Sequence, residues 1–208
     1  MNTPRAAKPA WNDTVAESGR LRIRHKRRDD ALDDYRWRRD PELAQFDGGT
    51  PLAASFSEFL RQVEQDLGFA DHRRRMFALE TPEGLHFGNI MYYNVDAERD
   101  SAELGISVAV AAYRGQGLGA DAMVTFVRYL WQTLPVRELY LHTLDWNERA
   151  RRCFQRAGFE ETARVVRGEQ VFLRMEAKRE WWLLWEMEGR FAPPARTPSA
   201  SEAEVRPS

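Results

Sequence analysis

The stretch from Tyr113 to Met123 reads YRGQGLGADAM, with glycines at positions 115, 117 and 119 and an arginine just before them. An apolar strand pattern precedes this run, and an amphipathic helix pattern follows it. Glycine lets a backbone turn tightly and approach a ligand closely, and the first amides of a helix point at an anion that the helix dipole also favours. The run therefore predicts a strand, loop and helix that bind a phosphate-bearing cofactor.

Two common phosphate-binding loops fit this run poorly. A P-loop has Lys followed by Ser or Thr after its last glycine, but here Ala120 and Asp121 follow Gly119. A dinucleotide-binding loop has the letters G-x-G-x-x-G/A, which Gly117, Gly119 and Ala122 supply. That loop follows the first strand of a parallel unit, whereas this run follows several strands with an antiparallel pattern. A nucleotide-dependent oxidoreductase is therefore the less favoured hypothesis.

The composition is that of an ordinary globular chain. The 208 residues are 43% hydrophobic and 30% charged, and the formal net charge of −1 gives no overall attraction to nucleic acid or to an anionic membrane. Cys153 is the only cysteine, which excludes an internal disulfide and a cysteine-based zinc site. Residues 1–19 lack the apolar core of a signal peptide, and no apolar run is long enough to span a bilayer. We therefore expect a cytoplasmic protein with no metal, nucleic acid or membrane partner.

Four segments are predicted along the chain. Residues 1–19 are polar without periodicity, which predicts a disordered N-terminal segment. Residues 20–177 carry the patterns of one folded domain, and residues 178–190 predict a tryptophan-rich helix whose apolar side chains pack in the core or at a homodimer contact. Residues 191–208 are rich in Pro, Ser and Ala, which predicts a disordered tail.

The periodicity of the domain predicts early helices, an antiparallel meander, alternating strands and helices, and a closing hairpin. This order predicts a mixed sheet with helices on both faces. The predicted helices lie at 29–39, 56–67, 118–134, 147–157 and 176–188, and the predicted strands at 21–25, 76–81, 86–95, 102–110, 139–143, 162–166 and 171–175.

Two motifs resemble one known family. The run R-x-x-G-x-G, from Arg114 to Gly119, resembles the pyrophosphate motif of the GNAT superfamily of acetyl-CoA-dependent acyltransferases. The segment NERARRCFQRAGF, from Asn147 to Phe159, resembles the second signature of that family, and its distance from the first also fits. Further segments resemble the branch that contains ribosomal-protein N-terminal acetyltransferases, so that the resemblance covers roughly residues 21–181; they are Leu21–Phe46, Gly88–Val95, Ser101–Val110 and Arg179–Trp182.

The resemblance implies an α/β fold of the α+β type: a three-layer α-β-α sandwich around a mixed, mostly antiparallel sheet that splays between the strands at 102–110 and 139–143. Acetyl-CoA is the implied co-substrate, with its pantetheine arm in the splay and its pyrophosphate held by backbone amides of the glycine run. Asn147 is also a candidate helix N-cap. The implied cofactor-binding residues are Val108, Ala109, Val110, Arg114, Gly115, Gln116, Gly117, Leu118, Gly119, Asn147 and Phe154.

Acetylation of an amine needs the neutral amine held against a thioester, a base for its proton and a donor for the oxyanion. Glu103 is the candidate base, since the resembling branch often has Glu there, and the amide of Val110 is the implied oxyanion donor. Phe154 stands where many family members have the tyrosine that protonates the leaving thiolate. Tyr113 and Tyr140 are the nearest alternatives, and departure of the thiolate without such help also stays open.

The resemblance therefore implies an acetyl-CoA-dependent N-acetyltransferase that acts on a primary amine by direct attack in a ternary complex. The resembling branch favours a protein or peptide N-terminus as acceptor. A small amine, such as a polyamine, an amino acid or an aminoglycoside, stays open, and Phe154 keeps open a non-catalytic acyl-CoA-binding protein. His142 could assist proton transfer, but we predict that it is a packed strand residue.

Overall fold

The computed structural model describes residues 13–68 and 72–191. Most of the predicted elements lie within a few residues of the observed ones. The strands are β1 (Thr14–Glu17), β2 (Arg22–His25), β3 (Arg75–Glu80), β4 (His86–Asp96), β5 (Ser101–Val108), β6 (Glu138–Leu144), β7 (Glu160–Arg167) and β8 (Gln170–Lys178). The helices are α1 (Ala31–Arg38), α2 (Pro41–Phe46), α3 (Phe56–Gly68), α4 (Leu118–Thr133), α5 (Glu148–Arg156) and α6 (Arg179–Met187).

The eight strands of the described chain form one sheet in the order β1-β2-β3-β4-β5-β6-β8-β7. Within it, β5 and β6 are the parallel pair, and their ladder ends at Glu103 and Tyr140 after three residue pairs. Since β5 continues to Val108 and β6 to Leu144, the two strands separate beyond this point in the described structure. The splay that the resemblance implied is therefore present at the middle of the sheet.

Helices cover both faces of the sheet. The apolar side of α4 packs in one core cluster with Leu104 of β5 and Leu141 of β6. Neighbouring residues of a strand point to opposite faces of the sheet. On the face opposite α4, the side-chain amide of Asn89 on β4 donates to Asp34 of α1 at 2.7 Å. The three-layer α-β-α arrangement is confirmed. The buried side chains of α4 include Ala122, Met123, Phe126, Val127 and Leu130.

Two elements were not predicted. Residues 14–17 form β1, which pairs with β2, so the prediction of disorder for residues 1–19 is wrong at these positions. The backbone groups of this short strand find hydrogen-bond partners on β2. Residues 1–12 lie outside the described residues. The second element is α2, which begins at Pro41 and is capped by Asp40, whose carboxylate accepts the amides of Glu42 and Leu43 at 2.8 and 3.3 Å. A capping Asp followed by Pro is a start signal for a helix.

The last helix, α6, attaches to the core through one tryptophan. Trp182 is fully buried, and its indole N–H donates to the carbonyl oxygen of Ala157 at 2.9 Å. The ring of Phe191 stacks on Trp182 at a centroid distance of 4.6 Å, so the prediction that a disordered tail begins at residue 191 is wrong for that residue; residues 192–208 lie outside the described chain. Trp181 and Met187 are exposed, and the homodimer contact stays a prediction.

A buried network of charges fixes the start of α1 on the sheet. The guanidinium of Arg24 on β2 donates to both carboxylate oxygens of Asp30 at 2.8 and 2.9 Å and to Glu80 of β3 at 2.5 Å. Burial alone would raise the pKa of Asp30, but the hydrogen bonds from Arg24, the charge of Lys26 and the amide of Arg27 outweigh it and hold this pKa at about 2.

We expect Asp30 to make part of the stability dependent on pH. Because its pKa is lowered by folding, the carboxylate stabilises the protein above its ordinary pKa of 3.8, and this contribution, about 2 kcal/mol, is lost as the pH falls towards 2. Urea unfolding at about pH 5 and about pH 2 should show a smaller acid-induced loss in Asp30→Asn, which cannot titrate there. Equal losses in wild type and variant would contradict this assignment.

Candidate active site

The splay between β5 and β6 opens into a cavity of about 750 Å³. Three parts of the chain line it: the two separating strands with the neighbouring β4, the glycine run with the first turn of α4 and the length of α5, and the α1–α2 segment together with the β7–β8 hairpin. Most of the residues predicted to bind a cofactor border this cavity. They are Val108, Arg114, Gly115, Gly117, Gly119, Asn147 and Phe154.

The glycine run forms an anion cradle at the start of α4. Gly117 is the N-cap residue with a left-handed φ of 80°, and no side chain caps the helix. The first amides of α4, which include those of Leu118 and Gly119, therefore have no acceptor within the helix. A Cβ atom on Gly119 would lie 3.2 Å from the Sγ atom of Cys153, so this glycine lets α4 and α5 approach each other. These amides and the helix dipole are suited to a pyrophosphate.

Arg20, just before β2, stabilises the same loop from outside. Its guanidinium donates to the carbonyl oxygen of Gln116 at 2.7 Å and to the carboxylate of Asp121 at 3.1 Å. The loop is thus tied to the edge half of the sheet, and the carbonyl of Gln116 is turned towards Arg20.

The amide of Arg114 is occupied within the chain. It donates to the carbonyl oxygen of Ala111 at 3.0 Å in a single helical turn before the loop, and a contact of Arg114 with the pyrophosphate stays a prediction. The guanidinium instead donates to the carbonyl oxygens of Val108 and Ala109 at 3.0 and 2.7 Å and pairs with Glu42 at 2.9 Å. Arg114 therefore holds the end of β5 in position.

The amide of Val110 is also occupied. It donates to the carbonyl oxygen of Phe87 at 3.1 Å, and the amide of Ala109 donates to the same oxygen at 3.0 Å. This hydrogen bond occupies the amide in the structure, and the oxyanion role of Val110 stays a prediction. Its partner lies on β4, which no local pattern around Val110 reveals.

The second signature is arranged as its sequence predicts. The side-chain oxygen of Asn147 accepts the amide of Ala150 at 3.2 Å, so Asn147 is the N-cap of α5, and it also borders the cavity. Phe154 borders the cavity about two turns later and packs edge-to-face on Phe159. The phenyl ring of Phe154 carries no proton that could be given to a thiolate. Contacts of both residues with a bound cofactor stay predictions.

Glu103 lies on the cavity wall where β5 and β6 separate, and it is 6% exposed. One carboxylate oxygen lies 2.7 Å from the Nδ1 atom of His142, and the other accepts the side-chain amide of Asn94 at 2.9 Å. Tyr93 and Tyr140 lie close enough to the same carboxylate for its charge to act on their phenols. Burial, together with the negative charge of Glu103, raises the pKa of both phenols, so they remain protonated.

Three of these neighbours were not predicted to act here. Tyr93 and Asn94 were not singled out, and His142 was predicted to be a packed strand residue. Asn94 has a left-handed φ of 50° at an irregularity in the β4–β5 ladder, and such a bulge turns a side chain out of the strand pattern. The pairing of Tyr93 with Glu103 depends on strand register, which the sequence does not show.

Other kinds of site find no support in the described residues. Within 13–68 and 72–191, no group of three or more His, Cys, Asp and Glu side chains is placed to hold a metal ion. No helix in these ranges has the length and apolar character needed to cross a bilayer. The cytoplasmic location stays a prediction.

We expect Gly117→Ala to weaken CoA binding about tenfold, because an alanine disfavours the left-handed φ by about 1–2 kcal/mol and turns the first amides of α4 away from the anion. Gly84→Ala is the matched control. Gly84 has a φ of 91° in the β3–β4 turn, with no atom within 4 Å of an added Cβ. Urea unfolding should show similar destabilisation of both variants, while calorimetric titration with CoA should show weaker binding for Gly117→Ala alone. Unchanged binding in Gly117→Ala would contradict the cradle.

Comparison with curated proteins finds a human relative. The alpha/beta-tubulin N-acetyltransferase 9 of Homo sapiens is 28% identical over 107 residues, which are 50% of this chain and 52% of the human protein. The chain thus spans about half the length of the curated relative that it matches.

Solved structures share the fold. A spermidine N-acetyltransferase from Vibrio cholerae, in complex with CoA and spermine, superposes with a TM-score of 0.71 at 20% identity over 80% of this chain and 99% of that chain. A chimera of the Vibrio cholerae enzyme and hSSAT gives a TM-score of 0.66 at 20% identity over 78% and 98% of the two chains. Residues 20–160, more than half of the sequence, match the model of the acetyltransferase (GNAT) domain. The protein belongs to the GNAT acetyltransferase family.

Proposed function

We propose that the protein transfers an acetyl group from acetyl-CoA to the N-terminal amine of a peptide or protein. Family membership supports acetyl transfer with acetyl-CoA as co-substrate. The free amides at the start of α4 are suited to the pyrophosphate, and the gap between β5 and β6 is suited to an extended pantetheine arm, whose amides can pair with strand edges. These features also argue against the oxidoreductase hypothesis.

In this reaction, the residues around the splay position the amine and accept its proton. Direct attack requires that a neutral amine be held against the thioester, so much of the rate comes from positioning. Glu103 and His142 form a hydrogen-bonded pair on the cavity wall, where a proton from the attacking nitrogen can be accepted. Arg114 fixes the end of β5, which forms one side of the reaction site.

The charge of the cavity wall is the observation on which the choice of acceptor depends. Only two carboxylates of the described chain, Asp47 and Glu103, line the cavity, and that of Glu103 is engaged by its neighbours. A polyamine carries several positive charges and would need several free carboxylates, whereas a peptide N-terminus brings one amine. The lining arginines are Arg38, Arg114, Arg149, Arg152, Arg156 and Arg167.

Two of these arginines belong to the part of the wall that the cofactor cradle leaves open. Arg38 lies at the end of α1 and Arg167 at the end of β7, and neither makes an ion pair with a carboxylate within 4.0 Å in the described residues. The guanidinium of Arg167 lies 5.1 Å from the ring centre of Phe172. A cation and an aromatic ring together provide a surface for polar and apolar peptide side chains.

The similar proteins favour two different acceptors. The human relative is named for acetylation of tubulin, which is a protein acceptor, and this agrees with the resemblance to the ribosomal-protein branch seen in the sequence. The Vibrio cholerae structures are spermidine acetyltransferases, and one contains spermine. A polyamine is therefore the second candidate.

A comparison of acceptors tests the proposal. Release of free CoA thiol should be followed with peptides of varied N-terminal sequence and with spermidine and spermine. We expect kcat/KM for the best peptide to exceed that for either polyamine by at least about tenfold, which corresponds to about 1.4 kcal/mol. Faster turnover of a polyamine would reject the peptide acceptor, and tight acetyl-CoA binding without turnover of any amine would favour a non-catalytic binder.

Charge reversal tests the role of the cavity wall directly. Because Arg167→Glu replaces a positive charge with a negative one, we expect it to raise the ratio of the polyamine rate to the peptide rate about tenfold. Arg164→Glu, on the same strand but outside the cavity lining, is the matched control and should leave this ratio unchanged. Equal effects of the two substitutions would show that Arg167 does not contact the acceptor.

A further inference from the structure

The two nitrogens of His142 have different surroundings. Nδ1 lies 2.7 Å from a carboxylate oxygen of Glu103. A carboxylate accepts hydrogen bonds, so the ring hydrogen is placed on Nδ1 and the lone pair on Nε2. Nε2 has no hydrogen-bond partner in the described residues. It is also not one of the fully buried side-chain atoms that lack a partner. The ring borders the cavity, so this lone pair is open to it.

Glu103 is poorly placed to take a proton itself. Each of its two oxygens already has one partner: one oxygen lies 2.7 Å from Nδ1 of His142, and the other accepts the side-chain amide of Asn94 at 2.9 Å. A proton on this carboxylate would weaken both contacts, because a neutral carboxyl group is a poorer hydrogen-bond acceptor than a carboxylate. The carboxylate is therefore arranged to orient its neighbours, with His142 as the neighbour that faces the cavity with a free lone pair.

We propose that His142 is the catalytic base of the acetyl transfer and that Glu103 is a positioning residue that holds its imidazole ring. This assignment rests on the proposed N-acetyltransferase function. It differs from the sequence prediction, in which Glu103 was the base and His142 was a packed residue.

The reaction balances without a further acid. The nitrogen lone pair of the neutral amine attacks the thioester carbonyl carbon and forms the C–N bond, and Nε2 of His142 takes a proton from that nitrogen. When the C–S bond breaks, the electron pair goes to sulfur, and the imidazolium returns the proton to the thiolate. The products are the acetylated amine, the CoA thiol and a neutral His142. The lack of a proton donor at Phe154 is then no obstacle to the release of the thiol.

Several charged and titratable groups face the pair. Glu103 comes from β5, Tyr93 and Asn94 from β4, and Tyr140 from the same strand as His142. From β8, Arg174 pairs in register with His142, and its guanidinium lies 3.7 Å from the ring centre of Tyr140. Arg174 is itself paired with two carboxylates, those of Glu138 and Glu176. Arg167 of β7 lies near enough to Tyr93 to lower its pKa, although burial has the larger, opposite effect.

Substitution of His142 separates catalysis from structure. We expect His142→Gln to bind CoA with unchanged affinity and to lose about 10²–10³-fold in kcat with the best acceptor peptide. In a plot of log kcat/KM against pH, the slope of the acid limb should fall from about two to about one. The amine must still be neutral, but the imidazole is gone. Added imidazole should restore part of the activity of His142→Ala. The control is His25→Gln, a half-buried strand histidine against Phe77 and outside the cavity lining, which should keep full activity.

The arrangement of the pair has its own readout, which needs no acceptor. ¹⁵N NMR of histidine-labelled wild-type protein should show the hydrogen of His142 on Nδ1, and Glu103→Gln should reduce this preference. A hydrogen on Nε2, or an unchanged kcat and pH profile in His142→Gln, would overturn the inference while leaving acetyl transfer intact. If wild-type protein acetylates no amine, the proposed function fails first, and the inference fails with it.

Discussion

The structure depends on a parallel strand pair that stops early. Pairing between β5 and β6 ends at Glu103 and Tyr140, although both strands continue. Buried backbone groups need hydrogen-bond partners, and two facing strand edges without a shared ladder leave such groups to a ligand. The gap is kept open from its outer sides: β8 pairs with the whole of β6, and Arg114 together with the carbonyl of Phe87 fixes the end of β5. Both strands are thus rigid while the space between them is free.

Sequence reasoning succeeded where a signal lies within a few neighbouring residues. The left-handed glycine at 117 and the capping Asn147 were found because a helix start depends on local chain chemistry. Partners that come from another strand were not predicted. The amide of Val110 is bonded to Phe87, and His142 meets Glu103 across the one parallel junction of the described sheet. Both facts depend on register, which no local pattern encodes.

The wall that would receive the acceptor depends on buried charges elsewhere. Arg38 ends α1, and this helix is joined to the sheet by the pair of Asp34 with Lys26 at 2.7 Å and by the hydrogen bond from Asn89. A buried ion pair adds little net stability, but removal of one partner is costly. The positions of Arg38 and of the following α2 are therefore set by ion pairs that lie outside the cavity lining.

The strand order has a consequence for synthesis of the protein. The last strand, β8, lies between β6 and β7, and it is complete only at Lys178. During translation β1 to β5 can assemble as an antiparallel meander in chain order, whereas β6 lacks one neighbour until β8 has emerged. A nascent chain that ends before β8 would expose one edge of β6, including the backbone of His142, to pairing with other chains. Completion of the acetyl-transfer site and protection from aggregation therefore occur in the same late step of folding.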